Sequence, residues 1–284
     1  LVFTDGEVSD RDQVSRYNEY LHRNPTAADV TVSTFGVGRY IESKLLSSLA
    51  WVGGGGYAYV PDLSHVDMAV VNRVANLSAT MESRVSLILD GSDGAKVCKV
   101  NGQLPSADGV PMNGRNVTAV DVGTVQYGQP RHVTFMVSGQ TGTVTATLKS
   151  TLCDASVSIN LAEMVHGTKA MVALFRDELT SALKPIETAN RFDARALTKK
   201  NVDGLAERLK KSAPIADGNT FALALLEDIV GVVSEGLSPK RFDNWGRHYL
   251  PSLSRSHMLQ QCSNSNDPGL QMYGGLIYKH ASSQ

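Results

Sequence analysis

The fold is decided by the stretch with which the sequence opens, Leu1-Val2-Phe3-Thr4-Asp5-Gly6-Glu7. Three apolar residues are followed directly by polar residues and a glycine. An unbroken apolar run that ends in this way is typical of a buried strand in a parallel sheet, with a loop at its carboxyl end. Ligands of open α/β sheets bind at that end of the strands. We therefore expect a buried strand at residues 1–4 and a functional loop that contains Asp5.

Strand and helix patterns alternate over the first 80 residues. Helical spacing of apolar residues predicts helices at 9–22, 41–51 and 64–77, and β-rich runs predict strands at 29–36 and 57–60. The four glycines at 53–56 predict a flexible turn. Strands that are separated by helices imply right-handed crossovers and therefore a parallel sheet.

The pattern changes twice further along the chain. From Met81 the apolar residues alternate with polar ones, and Gly-containing turns punctuate the runs, which predicts an antiparallel, sandwich-like module. From about Ser156 the spacing becomes helical. The predicted fold class is therefore α/β, then β, then α, with regions at 1–80, 81–155 and 156–284.

Composition excludes several functional classes. The formal net charge of the 284 residues is −1, which argues against nucleic acid or an anionic membrane as the partner. No apolar stretch approaches the length of a membrane span. The three cysteines are far apart and odd in number, so they form neither a disulfide framework nor a CxxC metal site. A cytoplasmic location is favoured over an extracellular one.

The order of the first five elements resembles the C-terminal half of a von Willebrand factor type A domain. The segments that carry the resemblance are Thr4-Asp5-Gly6, the loop Gly36-Val37-Gly38, the helix at 41–50, the strand at 57–60 and the helix at 66–77. The C-terminal segments Trp245–Leu250 and Asp267–Gly275 resemble the helical "Vwaint" region that follows a β region in large eukaryotic proteins of this kind. The resemblance implies a partial doubly wound sheet whose front half comes from another segment or chain.

Asp5 is the candidate metal ligand. A carboxylate just past a parallel strand can bind Mg²⁺, which prefers a few oxygen ligands and retains waters. The alternative is that Asp5-Gly6 is an ordinary turn. The resemblance implies that Asp5 matches one aspartate of the family's metal-ion-dependent adhesion site. That site also needs an Asp-x-Ser-x-Ser loop and a separate threonine from earlier in the domain, and neither precedes the opening strand in this sequence, so Mg²⁺ is expected only if another segment or chain supplies the remaining ligands.

The expected binding surface lies at the carboxyl ends of the parallel strands. Its candidate partner-binding residues are Thr4, Glu7, Gly36, Gly38, Arg39 and Gly54. The leading hypothesis is a non-enzymatic interaction or scaffold protein that binds a protein partner or copies of itself. A second hypothesis is a structural subunit of an assembly or filament, because an uncovered half sheet invites pairing. A third is a fragment of a ubiquitin-pathway or self-processing protein whose catalytic module lies elsewhere.

The C-terminal region offers one more possible metal site. His248, His257 and Cys262 have metal-ligating side chains, but their spacing fits no closed zinc site. The sequence favours a packed, hydrogen-bonded aromatic corner at these positions.

Overall fold

A computed structural model of the chain describes residues 1–6, 12–101, 116–164, 167–188 and 191–283. These residues form two compact units. The first unit joins residues 1–79 with residues 179–284, and the second consists of residues 80–178. Most of the helical C-terminal part therefore belongs to the same unit as the α/β residues at the start of the chain. The division into three regions stays a prediction.

A three-stranded sheet lies in the first unit. Its strands are β1 (Val2–Thr4), β2 (Val32–Val37) and β3 (Gly54–Val60), in the order β1-β2-β3, and both neighbouring pairs are parallel. Three helices follow the strands in the chain, α1 (Gln13–Arg23), α2 (Ser43–Val52) and α3 (Val66–Ser78). Short 3₁₀ turns occupy Pro25–Asp29 and Leu63–His65. The parallel sheet predicted from the alternation of strand and helix patterns is therefore present.

β1 is not the buried strand that its apolar sequence predicts. The exposed fractions of Leu1, Val2 and Phe3 are 56%, 44% and 44%. Within the described residues, β1 pairs only with β2, so one of its edges is open and much of its apolar surface is uncovered. The ring of Phe3 stacks on Phe35 with centroids 4.3 Å apart, which covers one face only. The prediction of burial is wrong because no further strand flanks β1 in this part of the chain.

The glycine run at residues 53–56 does not form the flexible turn that the sequence predicts. Gly54 to Gly56 belong to β3. A Cβ atom at Gly55 would lie 2.0 Å from the carbonyl oxygen of Val32, and one at Gly53 would lie 2.5 Å from the Val32 Cβ. Only glycine allows this close approach, so the run packs the start of β3 tightly against β2.

The second unit is mainly antiparallel. Its strands are β4 (Thr80–Ser92), β5 (Lys96–Val100), β6 (Asn116–Gln126), β7 (Phe135–Ser138), β8 (Thr143–Lys149) and β9 (Ala155–Asn160). Four of them form a sheet in the order β6-β4-β8-β9, and β5 pairs with β7. Alternating apolar residues, among them Leu89, Val97, Val120 and Val144, form its core.

The helical pattern expected from Ser156 begins later in the structure. Residues 155–160 form β9, whose Ser156 and Ser158 hydroxyls lie 3.1 Å and 2.8 Å from those of Thr147 and Thr145. A 3₁₀ turn at Leu161–Glu163 follows, and α4 (Thr168–Leu183) is the next helix. The residues of β9 alternate between apolar and polar (Ala155-Ser156-Val157-Ser158-Ile159-Asn160), which is the pattern of a strand, so the prediction of a helix from Ser156 is wrong and the helical pattern begins only after this edge strand.

The rest of the chain is helical. The further helices are α5 (Pro185–Thr188), α6 (Arg191–Lys210), α7 (Ala213–Ala216), α8 (Thr220–Asp228), α9 (Ser234–Gly236), α10 (Pro239–Arg241), α11 (Arg247–Leu259), α12 (Pro268–Gln271) and α13 (Leu276–Ser282). Two π-type turns, Ile229–Val233 and Phe242–Gly246, connect them. None of the helices in the described ranges is both long enough and apolar enough to span a membrane.

Candidate functional site

The carboxyl ends of the three parallel strands meet at one edge of the sheet. Thr4 of β1 pairs with Gly36 of β2, and Gly36 pairs with Tyr59 of β3. Asp5 directly follows Thr4 and is exposed. The sheet thus brings Thr4, Asp5 and Gly36 to the same edge.

The loop after β2 completes this edge. The Gly38 N–H donates a hydrogen bond to the Val60 carbonyl oxygen at 2.9 Å, which holds the loop against the end of β3. Gly38 has a φ of +83°, a conformation that glycine adopts without strain. Arg39 follows it and is exposed, as is Tyr40. We call the surface formed by Thr4, Asp5, Gly36, Gly38 and Arg39 the carboxyl-edge surface.

Gly54 does not belong to the carboxyl-edge surface. It begins β3 and pairs with Val32 at the start of β2, so it lies at the amino ends of the strands. The expectation that it joins the other candidates is wrong, because Gly54 to Gly56, which the sequence predicts to be a flexible turn, already form the start of the strand. Glu7, the remaining candidate, lies outside the described residues.

The described residues do not make a magnesium site by themselves. The part of the chain that the structure describes contains no group of three His, Cys, Asp or Glu side chains able to hold a metal ion. The Thr4 hydroxyl accepts a hydrogen bond from the Gly6 N–H at 3.3 Å, which fits an ordinary turn. Asp5 therefore contributes one carboxylate, and a Mg²⁺ ion would need further oxygen ligands.

The carboxyl-edge surface carries charges of both signs. Burial raises the pKa of Tyr59, the nearby guanidinium groups of Arg39 and Arg247 lower it, and the Asp62 carboxylate raises it. The arginines come from two distant parts of the sequence, the loop after β2 and the start of α11. A surface with mixed charges suits a protein partner better than a polyanion.

A buried serine and histidine lie just behind this edge. The Ser43 hydroxyl is 2.5 Å from Nδ1 of His248, and the Tyr57 hydroxyl donates a hydrogen bond to Ser43 Oγ at 2.9 Å. The Arg247 Nε–H donates to His248 Nε2 at 3.0 Å. Because arginine can only donate, His248 Nε2 is the acceptor and its Nδ1 carries the proton that faces Ser43.

This tautomer decides what the pair can do chemically. A nucleophilic serine needs a neighbouring base that accepts its proton. The Nδ1–H of His248 instead donates towards Ser43 Oγ, so the imidazole does not activate the hydroxyl. The contact stabilises the packing of α2 against α11, and the His248 ring stacks on Tyr59 with centroids 5.5 Å apart.

Arg255 anchors α11 to the parallel sheet. Its side chain is buried, and its Nε donates to the carbonyl oxygen of Gly55 at 2.8 Å. Its guanidinium carbon lies 4.7 Å from the centre of the Trp51 ring, a cation–π contact. The glycine run and the C-terminal helices are therefore parts of one packed structure.

A second buried polar cluster lies among the C-terminal helices. The Gly269 N–H donates to Asp228 Oδ2 at 2.9 Å, and His257 Nε2 lies 3.9 Å from the same oxygen. His257 Nδ1 is 2.9 Å from the Tyr273 hydroxyl. Burial, with a smaller contribution from the Asp267 carboxylate, raises the pKa of Asp228 to about 8.

The suggested metal ligands of the C-terminal region do not converge. His248 contacts Ser43, His257 contacts Tyr273, and the Cys262 thiol donates to the Asn264 carbonyl oxygen at 3.3 Å. The structure therefore agrees with the packed aromatic corner that the sequence favoured. Sequence reasoning missed the two most telling buried side chains, Asp228 and Arg255, because an isolated charged residue in a helical pattern gives no signal of burial.

Comparison with known proteins gives a family match for the C-terminal helices and a fold match for most of the chain. Residues 219–284 match the family Vwaint, described as VWA / Hh protein intein-like. A von Willebrand factor type A protein from Catenulispora acidiphila is 17% identical, with a TM-score of 0.51 over 79% of this chain. The ArnB paralog VWA2 from Sulfolobus acidocaldarius is 15% identical, with a TM-score of 0.44 over 90% of this chain.

The chain spans 56% of the Catenulispora protein and 62% of the Sulfolobus protein. None of the curated proteins matches the sequence. The match to the Catenulispora protein shows the fold, and the Vwaint match covers the segment in which the sequence showed the same resemblance. Residues 219–284 therefore match the Vwaint family, and the chain has the fold of a von Willebrand factor type A protein.

Proposed function

We propose that this chain is a non-enzymatic protein-interaction module whose partner binds along the open edge of β1 and the carboxyl-edge surface. The observation that carries the proposal is the exposure of Leu1, Val2 and Phe3 on a strand whose pairing, among the described residues, is with β2 alone. Strands of this kind are templates for pairing with another chain or segment. Proteins otherwise blunt such edges with charged residues or proline, and β1 contains neither.

Parallel pairing at β1 would complete a larger doubly wound sheet. An added strand would cover the apolar side chains of β1 and satisfy its unpaired backbone groups. It could come from another segment of the same protein or from another chain. The mixed charges of the carboxyl-edge surface would then select the partner, since electrostatic complementarity mainly contributes specificity.

The absence of enzymatic activity is part of the proposal. It is supported by the Ser43–His248 contact, in which the imidazole donates towards the hydroxyl. The cofactor Mg²⁺ belongs to the proposal only in a conditional form. Asp5 would bind it together with oxygen ligands supplied by the partner segment that also completes the sheet.

Site-specific photo-crosslinking tests the interaction. A benzophenone amino acid replaces Phe3 in one variant and Tyr20 in a matched control, which is an aromatic residue on α1 with an exposed fraction of 52%. In the cells that make the protein, the probe at position 3 should crosslink to one defined strand-forming segment, identified by mass spectrometry. Equal and scattered crosslinking at the two positions would overturn the proposal.

Assembly from copies of this chain is a second candidate, and the same open edge favours it. Light scattering over a wide range of protein concentration distinguishes the two. Self-assembly predicts oligomers that the substitution Phe3→Lys disperses, because a lysine charge at the edge opposes pairing. A monomer at all concentrations would exclude the assembly and leave a separate partner.

A further inference from the structure

A small cavity lies between β3, α3 and α11 in the first unit. Its volume is about 30 Å³. The residues that line it include Phe35, Tyr57, Arg73, Ser256, Gln261 and Ser263. A cavity needs only about 10–15 Å³ of such volume to hold one water molecule, so this one has room for an atom somewhat larger than water oxygen.

The guanidinium of Arg73 is the charged group of this cavity. It makes one hydrogen bond, from Nη1 to the Gln261 side-chain oxygen at 2.9 Å. Its Nε is buried and has no hydrogen-bond partner among the described residues. The Nη1 atom would lie 3.5 Å from a Cβ atom at Gly56, an ordinary van der Waals distance, so the guanidinium lies close to the start of β3.

The charge of Arg73 has no counterion in the described part of the chain. No Asp or Glu lines the cavity, and no described carboxylate lies within ion-pair distance of the guanidinium. Burial lowers the pKa of Arg73 to about 10, and no carboxylate opposes that shift. A cation that is largely removed from water normally has an anionic partner, because desolvation of an unpaired charge is costly.

The neighbouring hydroxyls do not supply that partner. Ser256 Oγ donates to the Ser252 carbonyl oxygen at 3.0 Å and lies 2.6 Å from Ser263 Oγ, so its hydrogen is already used. The Gln261 side-chain oxygen accepts from Arg73, but this neutral amide supplies no negative charge. The cavity therefore offers donors and a positive charge, without a negative one.

We propose that this cavity binds a small monovalent anion, of the size of chloride, beside the guanidinium of Arg73. The anion neutralises the charge of this partly buried side chain and accepts a hydrogen bond from its buried Nε. By occupying the space between β3, α3 and α11, it links the parallel sheet to the C-terminal helices. The site differs from the carboxyl-edge surface and does not depend on the function proposed for that surface.

Crystallography with bromide tests the site directly. Bromide is slightly larger than chloride and gives an anomalous signal. Crystals of the wild-type chain grown in sodium bromide should show an anomalous peak within hydrogen-bonding distance of Arg73 Nε. Density for a water molecule without an anomalous signal at this position would refute the proposal.

Chloride dependence of the melting temperature gives a second, independent readout. At constant ionic strength, sodium gluconate is replaced by sodium chloride. Wild type should gain about 2–4 °C for each tenfold rise in chloride above its dissociation constant. Arg73→Met should lose this dependence, and Arg23→Met, which removes an exposed arginine of α1, should keep it.

An equal response to chloride in wild type and Arg73→Met would contradict the proposal. If Arg73→Met fails to fold, the chloride response of wild type and the bromide peak decide the question without that variant. A wild-type chain with no chloride response would also refute it.

Discussion

Arg255→Met tests whether α11 is anchored to the parallel sheet by a single buried cation. The substitution keeps an unbranched side chain of similar length and removes the guanidinium. It deletes the hydrogen bond to the Gly55 carbonyl oxygen at 2.8 Å and the cation–π contact with Trp51. It also removes the largest of the positive charges that oppose the burial-driven rise in the pKa of the Glu187 carboxyl.

The expected loss follows from these contacts. A hydrogen bond from a charged donor contributes about 1.5–3 kcal/mol, and leaves a buried acceptor unsatisfied when it is lost. A desolvated cation–π contact contributes about 1–2 kcal/mol. The Ala50 carbonyl oxygen at 3.4 Å from Nη2 is too distant to add much. Because the methionine recovers some packing, we expect a net loss of about 2–4 kcal/mol.

Urea unfolding, followed by circular dichroism, measures this loss as a shift of the midpoint at unchanged slope. Arg255→Lys should lie between wild type and Arg255→Met, because it keeps the charge but not the planar group that stacks on Trp51. Arg23→Met is the surface control and should change stability by less than about 0.5 kcal/mol. A loss below that value for Arg255→Met would refute the anchoring role.

Three further predictions address the sheet, the C-terminal cluster and the metal. Gly55→Ala should lower the free energy of unfolding in urea by about 3 kcal/mol or more, because the new Cβ would lie 2.0 Å from the Val32 carbonyl oxygen. The control Gly204→Ala, on an exposed face of α6, should raise it by about 0.5–1 kcal/mol. Because the pKa of Asp228 is raised to about 8 in the folded state, wild type should lose stability as pH rises from about 5 to about 8, by up to about 1.4 kcal/mol per pH unit. Asp228→Asn should flatten that slope, and an unchanged slope would contradict the assignment. Calorimetric titration with Mg²⁺ should give no more heat for the wild-type chain than for Asp5→Ala. Clear Mg²⁺ binding by wild type but not by Asp5→Ala would contradict this and show that other residues of the chain complete the metal site with Asp5.

The order of the elements in the first unit was predictable because local patterns determine it. Apolar runs that end at glycine, proline or aspartate and are separated by helical patterns predicted the parallel strands and their carboxyl edge. Asp5, Gly38 and Arg39 could be assigned to that edge because each directly follows a strand. Their role in binding stays a prediction.

Other features depend on packing that a sequence window does not contain. The glycines at 53–56 look like a turn, yet contact with Val32, more than twenty residues earlier, makes them part of β3. The exposure of Val157 and Ile159 on β9 cannot be inferred from its alternating sequence, because a half-buried strand has the same pattern. The burial of Arg255 and the partial burial of Arg73 involve contacts with residues 200 and 188 positions away in the sequence.

The central claim is that a partner segment pairs with the open edge of β1. Hydrogen exchange of the backbone amides of residues 2–4 tests it most directly, in this chain alone and in the protein as cells produce it. We predict exchange at least about tenfold slower in the cellular protein, because pairing protects amides that are open here. Equally fast exchange in both would contradict the claim and leave β1 as an uncovered edge.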